Sequence, residues 1–154
     1  MTVDGDQLIE QIKATFRGVE PPPASTLMNS HCEECIETSW AFSQKRWEDL
    51  ANDVGSYQET ALLTPEAWRY YLPTIMIWCL RDTKIVDALV DNTVHQLTPP
   101  SEPDKKWFEQ RNRGFTGSQR RAIVIFLEWC REQWSAFDPA QNAQKYWSRL
   151  EDAG

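Results

Sequence analysis

The segment from Thr64 to Arg81 constrains the fold of this chain more than any other. Thr64 is a capping residue, Pro65 suits the first helical position, and Glu66 suits the positive end of a helix dipole. Trp68, Tyr71, Leu72 and Ile75 then recur at helical spacing, and Ile75 to Leu80 is apolar on every side. This pattern predicts a central helix covered by other elements over most of its surface. Pro73 lies inside it. Proline lacks an amide hydrogen and its ring clashes with the carbonyl four residues back, here that of Arg69, so a kink or break is expected.

The rest of the chain is also patterned for helices. Leu8, Ile9, Ile12 and Phe16 mark a first amphipathic helix ending near Gly18. Ser30 and Glu33 have capping-box spacing and open a second, with Cys35, Ile36, Ser39 and Phe42 on one face and Trp40 beside it. A short turn surrounds Trp47 and Leu50, and Asp82 can cap a helix carrying Ile85, Val86, Leu89 and Val90. Trp107 and Phe108 anchor a short segment. Thr116 and Gln119 form another capping box, followed by Ile123, Phe126, Leu127, Cys130 and Trp134 at i, i+3, i+4, i+7 and i+11. Asp138-Pro139 starts a last helix with Tyr146, Trp147 and Leu150 apolar. Pro-rich loops are expected at 19–29 and 97–104, and no alternating strand pattern appears. The expected fold is all-α: one domain over residues 1–154, an irregular bundle of about six to eight helices around a Pro-kinked, largely buried central one.

The longest apolar run is six residues, far below a membrane-spanning length. The first residues, Met-Thr-Val-Asp-Gly-Asp, have neither the basic start nor the apolar core of a signal peptide. A cytoplasmic location with reduced cysteines is therefore expected. Charge is unevenly placed. Residues 1–60 hold 11 acids and 4 bases, whereas residues 61–154 hold 12 of each, so the whole net charge of −7 arises in the first 60. An acidic surface there would steer a basic partner. Residues 104–121 are a local exception, with Lys105, Lys106, Arg111, Arg113, Arg120 and Arg121 against Asp104 and Glu109.

Chemistry-bearing residues concentrate in His31-Cys32-Glu33-Glu34-Cys35. Two thiols at C-x-x-C spacing suit a soft ion such as zinc, but a structural site needs two further ligands. His31, Cys32, Cys35 and His95 are the candidate set, with Cys79 and Cys130 also available. The last two fall on apolar stripes, where cysteine commonly acts as a small hydrophobe. A redox role is opposed by Glu33 and Glu34, which disfavour another negative charge beside Cys32. No nucleophile elbow, P-loop or dinucleotide fingerprint is present, and no acid–base constellation is visible. Tyr70 and Tyr71 read as core residues, and Arg69 as a solvated charge.

The segments His31-Cys-Glu-Glu-Cys35 and Leu63-Thr-Pro-Glu-Ala-Trp-Arg-Tyr-Tyr-Leu-Pro73, with the helix start Thr116-Gly-Ser-Gln119, resemble the signature of an uncharacterised bacterial domain family of unknown function. The resemblance spans residues 25 to 135. It implies a small bacterial helical protein and supplies no activity, so no catalytic residue is carried over. Small acidic bacterial proteins of such families often serve as immunity proteins for secreted toxins, which is an association only.

The leading expectation is a non-enzymatic immunity protein without a cofactor. It would bind a cognate protein toxin, such as a basic nuclease, through Glu33, Glu34, Glu37, Glu48, Asp49 and Asp53, with Trp40 and Trp47 as exposed aromatic anchors. The alternatives are a zinc-stabilised adaptor using His31 to Cys35, and a nucleic-acid or anion binder using Lys105 to Arg121.

Overall fold

The computed structural model describes residues 2–23, 42, 45–52, 60, 63–81, 86–101, 103–133 and 138–153, with the backbone alone at 86, 87, 138 and 151–153. Among these residues seven helices and no strands occur, as an all-α single-domain bundle requires. They are α1 (Gly5–Thr15), α2 (Trp47–Ala51), α3 (Pro65–Arg81), α4 (Val86–Gln96), α5 (Lys105–Asn112), α6 (Gly117–Gln133) and α7 (Asp138–Ala153).

The local signals act as physical chemistry requires. Asp4 caps α1, its side chain accepting from the amides of Asp6 and Gln7 at 2.9 and 3.3 Å. Thr64 Oγ1 accepts from the Ala67 amide at 3.3 Å and starts α3. The Thr116–Gln119 capping box closes in both directions, at 2.9 and 3.2 Å. After α5 the chain turns through Gly114 at φ +116°, a conformation other residues rarely adopt. A Cβ there would also come within 3.3 Å of Arg69 Nε.

Helix α3 is the axis of the fold. Of its 17 residues 13 are buried, including every one from Tyr70 to Leu80. It packs against α1, α2, α4 and α5, while α6 and α7 make the most extensive helix pairing and meet α1 and α4 respectively. The helix runs unbroken through Pro73, contrary to a break there. An interior proline costs about 3 kcal/mol. Burying Leu72, Ile75 and Met76, each fully, contributes about 1.5–3 kcal/mol per side chain and offsets it. Tertiary cover on all sides thus overrides the local preference.

Candidate functional site

Short α2 lies on α3 through a seam of aromatic rings and hydroxyls. Trp47 and Leu50 are buried, and the Trp47 ring meets Phe16 edge-on at 6.5 Å. The Trp47 amide donates to Tyr70 Oη at 3.1 Å, and Thr74 Oγ1 donates to the Trp47 carbonyl at 2.8 Å. Tyr71 Oη reaches the carbonyls of Phe42 and Lys45 at 2.6 and 2.8 Å. Burial, and next the neighbouring Tyr70, raises the Tyr71 phenol well above its ordinary value, so it stays a neutral donor. Arg81 donates to the Ala51 carbonyl at the far end of α2. Tyr70 and Tyr71 are therefore core residues, as their spacing suggests.

The seam corrects one expectation. Trp47 is 1% exposed and anchors α2 to the core, so it offers no surface to a partner. A five-residue helix has little stability of its own, and the large apolar ring at its start is what docks it. The large hydrophobic side chain that does reach solvent among the described residues is Trp107, 39% exposed. Around the edge of Trp47, Lys13, Arg17, Glu48 and Asn52 complete a cleft of about 220 Å3. The Trp47 indole nitrogen and Glu48 Oε1 are buried without a hydrogen-bond partner.

Of the expected partner-binding acids, Glu48 and Asp49 are described, and both lie in α2. Asp49 is exposed, while Glu48 is half-buried and 3.5 Å from Arg46. Glu33, Glu34, Glu37, Trp40 and Asp53 lie outside the described residues, as do His31, Cys32 and Cys35 of the zinc alternative. His95, its fourth candidate, is exposed near the end of α4. Among the described residues no three His, Cys, Asp or Glu side chains converge on a possible metal position. Cys79 and Cys130 are fully buried; burial pushes the Cys79 thiol up to about 12 and also raises Cys130, so both are protonated hydrophobes at neutral pH.

The basic run at 105–121 does not lie wholly at the surface. Arg111 is wholly buried, so it leaves the nucleic-acid alternative without its central charge. Its guanidinium donates to the carbonyls of Leu63 and Thr60 and to Gln96 Oε1, at 2.5, 3.1 and 2.6 Å. It stacks 4.5 Å from the Trp68 ring and 4.8 Å from that of Trp107. Burial, and then the charge of Arg69, lowers its pKa to about 9, which still leaves a cation at neutral pH. Asn112 extends the network, accepting from Trp68 Nε1 at 2.8 Å and donating to the Gln96 carbonyl at 3.2 Å. Thr60 Oγ1 accepts from Gln96 and Asn92 at 2.6 and 3.2 Å. Arg69 is likewise engaged, donating to the carbonyls of Gln110 and Arg111 at the end of α5. Arg113 lies 3.9 Å from Glu109, and Arg120 donates to the Phe115 carbonyl.

The cations that do converge lie elsewhere. Arg131 of α6 and Lys145 and Arg149 of α7 line a cleft of about 340 Å3 with Gln141, Gln144 and Ser148. The sequence carries a signal for this. Positions 141, 144, 145, 148 and 149 form one helical stripe of polar and basic residues beside the buried stripe of Ala140, Ala143 and Trp147. Only the fold adds Arg131 to it.

No curated protein and no solved structure matches the chain. A family model does match, over residues 4–151, which is nearly the whole chain and wider than the segment on which the sequence resemblance rested. The chain thus belongs to DUF6714, a family of unknown function.

Proposed function

We propose that this protein is a non-enzymatic immunity protein of the bacterial cytoplasm, binding a cognate toxin with a basic surface and holding it inactive. The observation that carries this reading is the charge asymmetry: the entire −7 arises in residues 1–60, while the remainder is balanced. Within that acidic third, α2 is a rigid mount. Trp47 is locked from below by the Tyr70 and Thr74 hydrogen bonds, so exposed Asp49 is held in place before a partner arrives. A charge fixed in advance loses little entropy on binding and steers encounter. With Trp47 interior, Trp107 replaces it as the aromatic anchor among the described residues. No helix among the described residues is long and apolar enough to cross a membrane, which accords with this reading.

The test is co-purification of the full chain with the product of the adjacent gene, followed by association kinetics. Reversing Glu37, Asp49 and Asp53 to lysine should slow association and flatten its dependence on salt. A complex whose association rate ignores both salt and the reversals would overturn acidic steering. Absence of any complex with the adjacent product would count against the immunity role itself.

A further inference from the structure

We propose that the cleft between α6 and α7 is a binding site for a small polyvalent phosphate, distinct from the acidic surface of the preceding reading and sharing no residue with it. Three cations line it: Arg131 from α6, and Lys145 and Arg149 one turn apart on α7. The remaining lining groups among the described residues are Gln141, Gln144 and Ser148, all neutral hydrogen-bonding side chains, and none of these is a carboxylate.

This composition is unusual for the chain that carries it. Acids outnumber bases 23 to 16, so a cation on this surface has carboxylates to choose from. Arg46 and Arg113 make such contacts, with Glu48 and Glu109. Among the described residues none of Arg131, Lys145 and Arg149 has a carboxylate within ion-pair distance. Glu132, next to Arg131, turns elsewhere: its carboxylate accepts the Val3 amide through both oxygens, at 2.7 and 2.9 Å. Arg131 Nη1 instead donates to Gln144 Oε1 at 2.5 Å, a neutral contact that orients the guanidinium across the helix pair and leaves its charge uncompensated.

Three like charges in one cleft, without an ion-pair partner among the described residues, repel one another, and an anion relieves that repulsion. Guanidinium groups match the geometry of phosphate oxygens, and lysine supplies a mobile point charge. The amides and the Ser148 hydroxyl can satisfy oxygens the cations do not reach. A volume of about 340 Å3 is at the small end for ligand sites, so the occupant is a compact phosphate compound. The mount is rigid, because α6 and α7 pack over their length and Trp147 Nε1 ties α7 to the Leu97 carbonyl at 2.9 Å.

The probe is inorganic pyrophosphate, titrated into the full chain at constant ionic strength and followed by calorimetry. Sodium sulfate and an oligothymidylate are run in parallel. Saturable uptake of one pyrophosphate per chain is expected, weakened about tenfold or more by Lys145→Gln with Arg149→Gln, and abolished by Ser148→Glu. The pair Lys105→Gln with Lys106→Gln, exposed but outside the cleft, should leave affinity unchanged. All altered side chains are exposed or half-buried, and unchanged thermal melting confirms the variants are folded. The proposal is overturned by absence of saturable uptake, by uptake indifferent to the cleft variants, or by equal affinity for sulfate, which would indicate an adventitious ion only. Binding of the oligothymidylate without pyrophosphate would also overturn it, in favour of a surface that follows a nucleic-acid backbone.

Discussion

Arg111 and the trio Arg131, Lys145 and Arg149 present the same chemistry in opposite surroundings. Arg111 is sealed among carbonyls, an amide and two indole rings, whereas the trio lines a solvent-facing cleft. Burial converts the Arg111 charge into structure: one planar group satisfies acceptors on the 60–63 segment and on α4, while its own helix α5 packs on α3. Exposure leaves the trio's charge unspent on the fold. The number of basic residues in a segment therefore says little about ligand binding until each guanidinium is placed.

The sharpest way to break this comparison is Arg111→Met. It leaves the Leu63 and Thr60 carbonyls and Gln96 Oε1 without this donor, and denaturant unfolding should show a loss of about 3–5 kcal/mol. Arg111→Lys should recover only part, since one ammonium cannot span the same three acceptors. A loss below about 1 kcal/mol would mean that the buried cation holds nothing together.

Burial fixes charge state at Cys79 as well, and this predicts a pH effect. Well below pH 9 the thiol is protonated whether the chain is folded or not, so it contributes no pH dependence there. Above pH 9 the unfolded chain ionises, while the folded chain keeps its proton to about 12. The folded state then binds more protons, so stability falls as pH rises across that window, by at most about 4 kcal/mol from this group. Cys79→Ala should show a shallower fall between pH 9 and 12 in unfolding experiments. An unchanged slope would place the alkaline sensitivity in other groups.

A smaller loss is expected from Tyr71→Phe, which removes one hydroxyl from two carbonyls in the α2 seam. About 1–3 kcal/mol is expected, with loosening of α2 seen as faster amide exchange at residues 47–51. At the far end of the scale, Lys145→Gln with Arg149→Gln should shift stability by no more than about 0.5 kcal/mol. A larger change would show that these charges too are structural.

The fold was legible wherever local chemistry and tertiary packing agree. The caps at Thr64 and Thr116, the continuous apolar run from Ile75 and the helix from Gly117 all follow from side-chain spacing. Of the kink or break expected at Pro73, a break does not occur, because the local penalty is visible in sequence whereas cover from four neighbouring helices is not. Trp47 and Arg111 were misplaced for a related reason. An aromatic beside acids and an arginine among bases both read as surface residues, yet each is held inside by partners 15 to 51 positions away. The α6–α7 cleft was half visible, because the α7 stripe can be read from spacing and Arg131 cannot.

The clasp between the Val3 amide and Glu132 joins positions 129 residues apart, and this has a consequence for the order of synthesis. Helix α1 is made first, yet its clasp partner emerges after almost all other helices. At about 5–20 residues per second, roughly 6–26 s separate the two. Through that interval an 11-residue helix is too short to persist alone, and Leu8, Ile9 and Ile12 still lack α6, with which α1 makes its most extensive pairing among the described helices. Arrival of α6 on the ribosome thus sets the earliest moment at which the chain can close, and nascent chains stalled before residue 132 should remain sensitive to protease in α1.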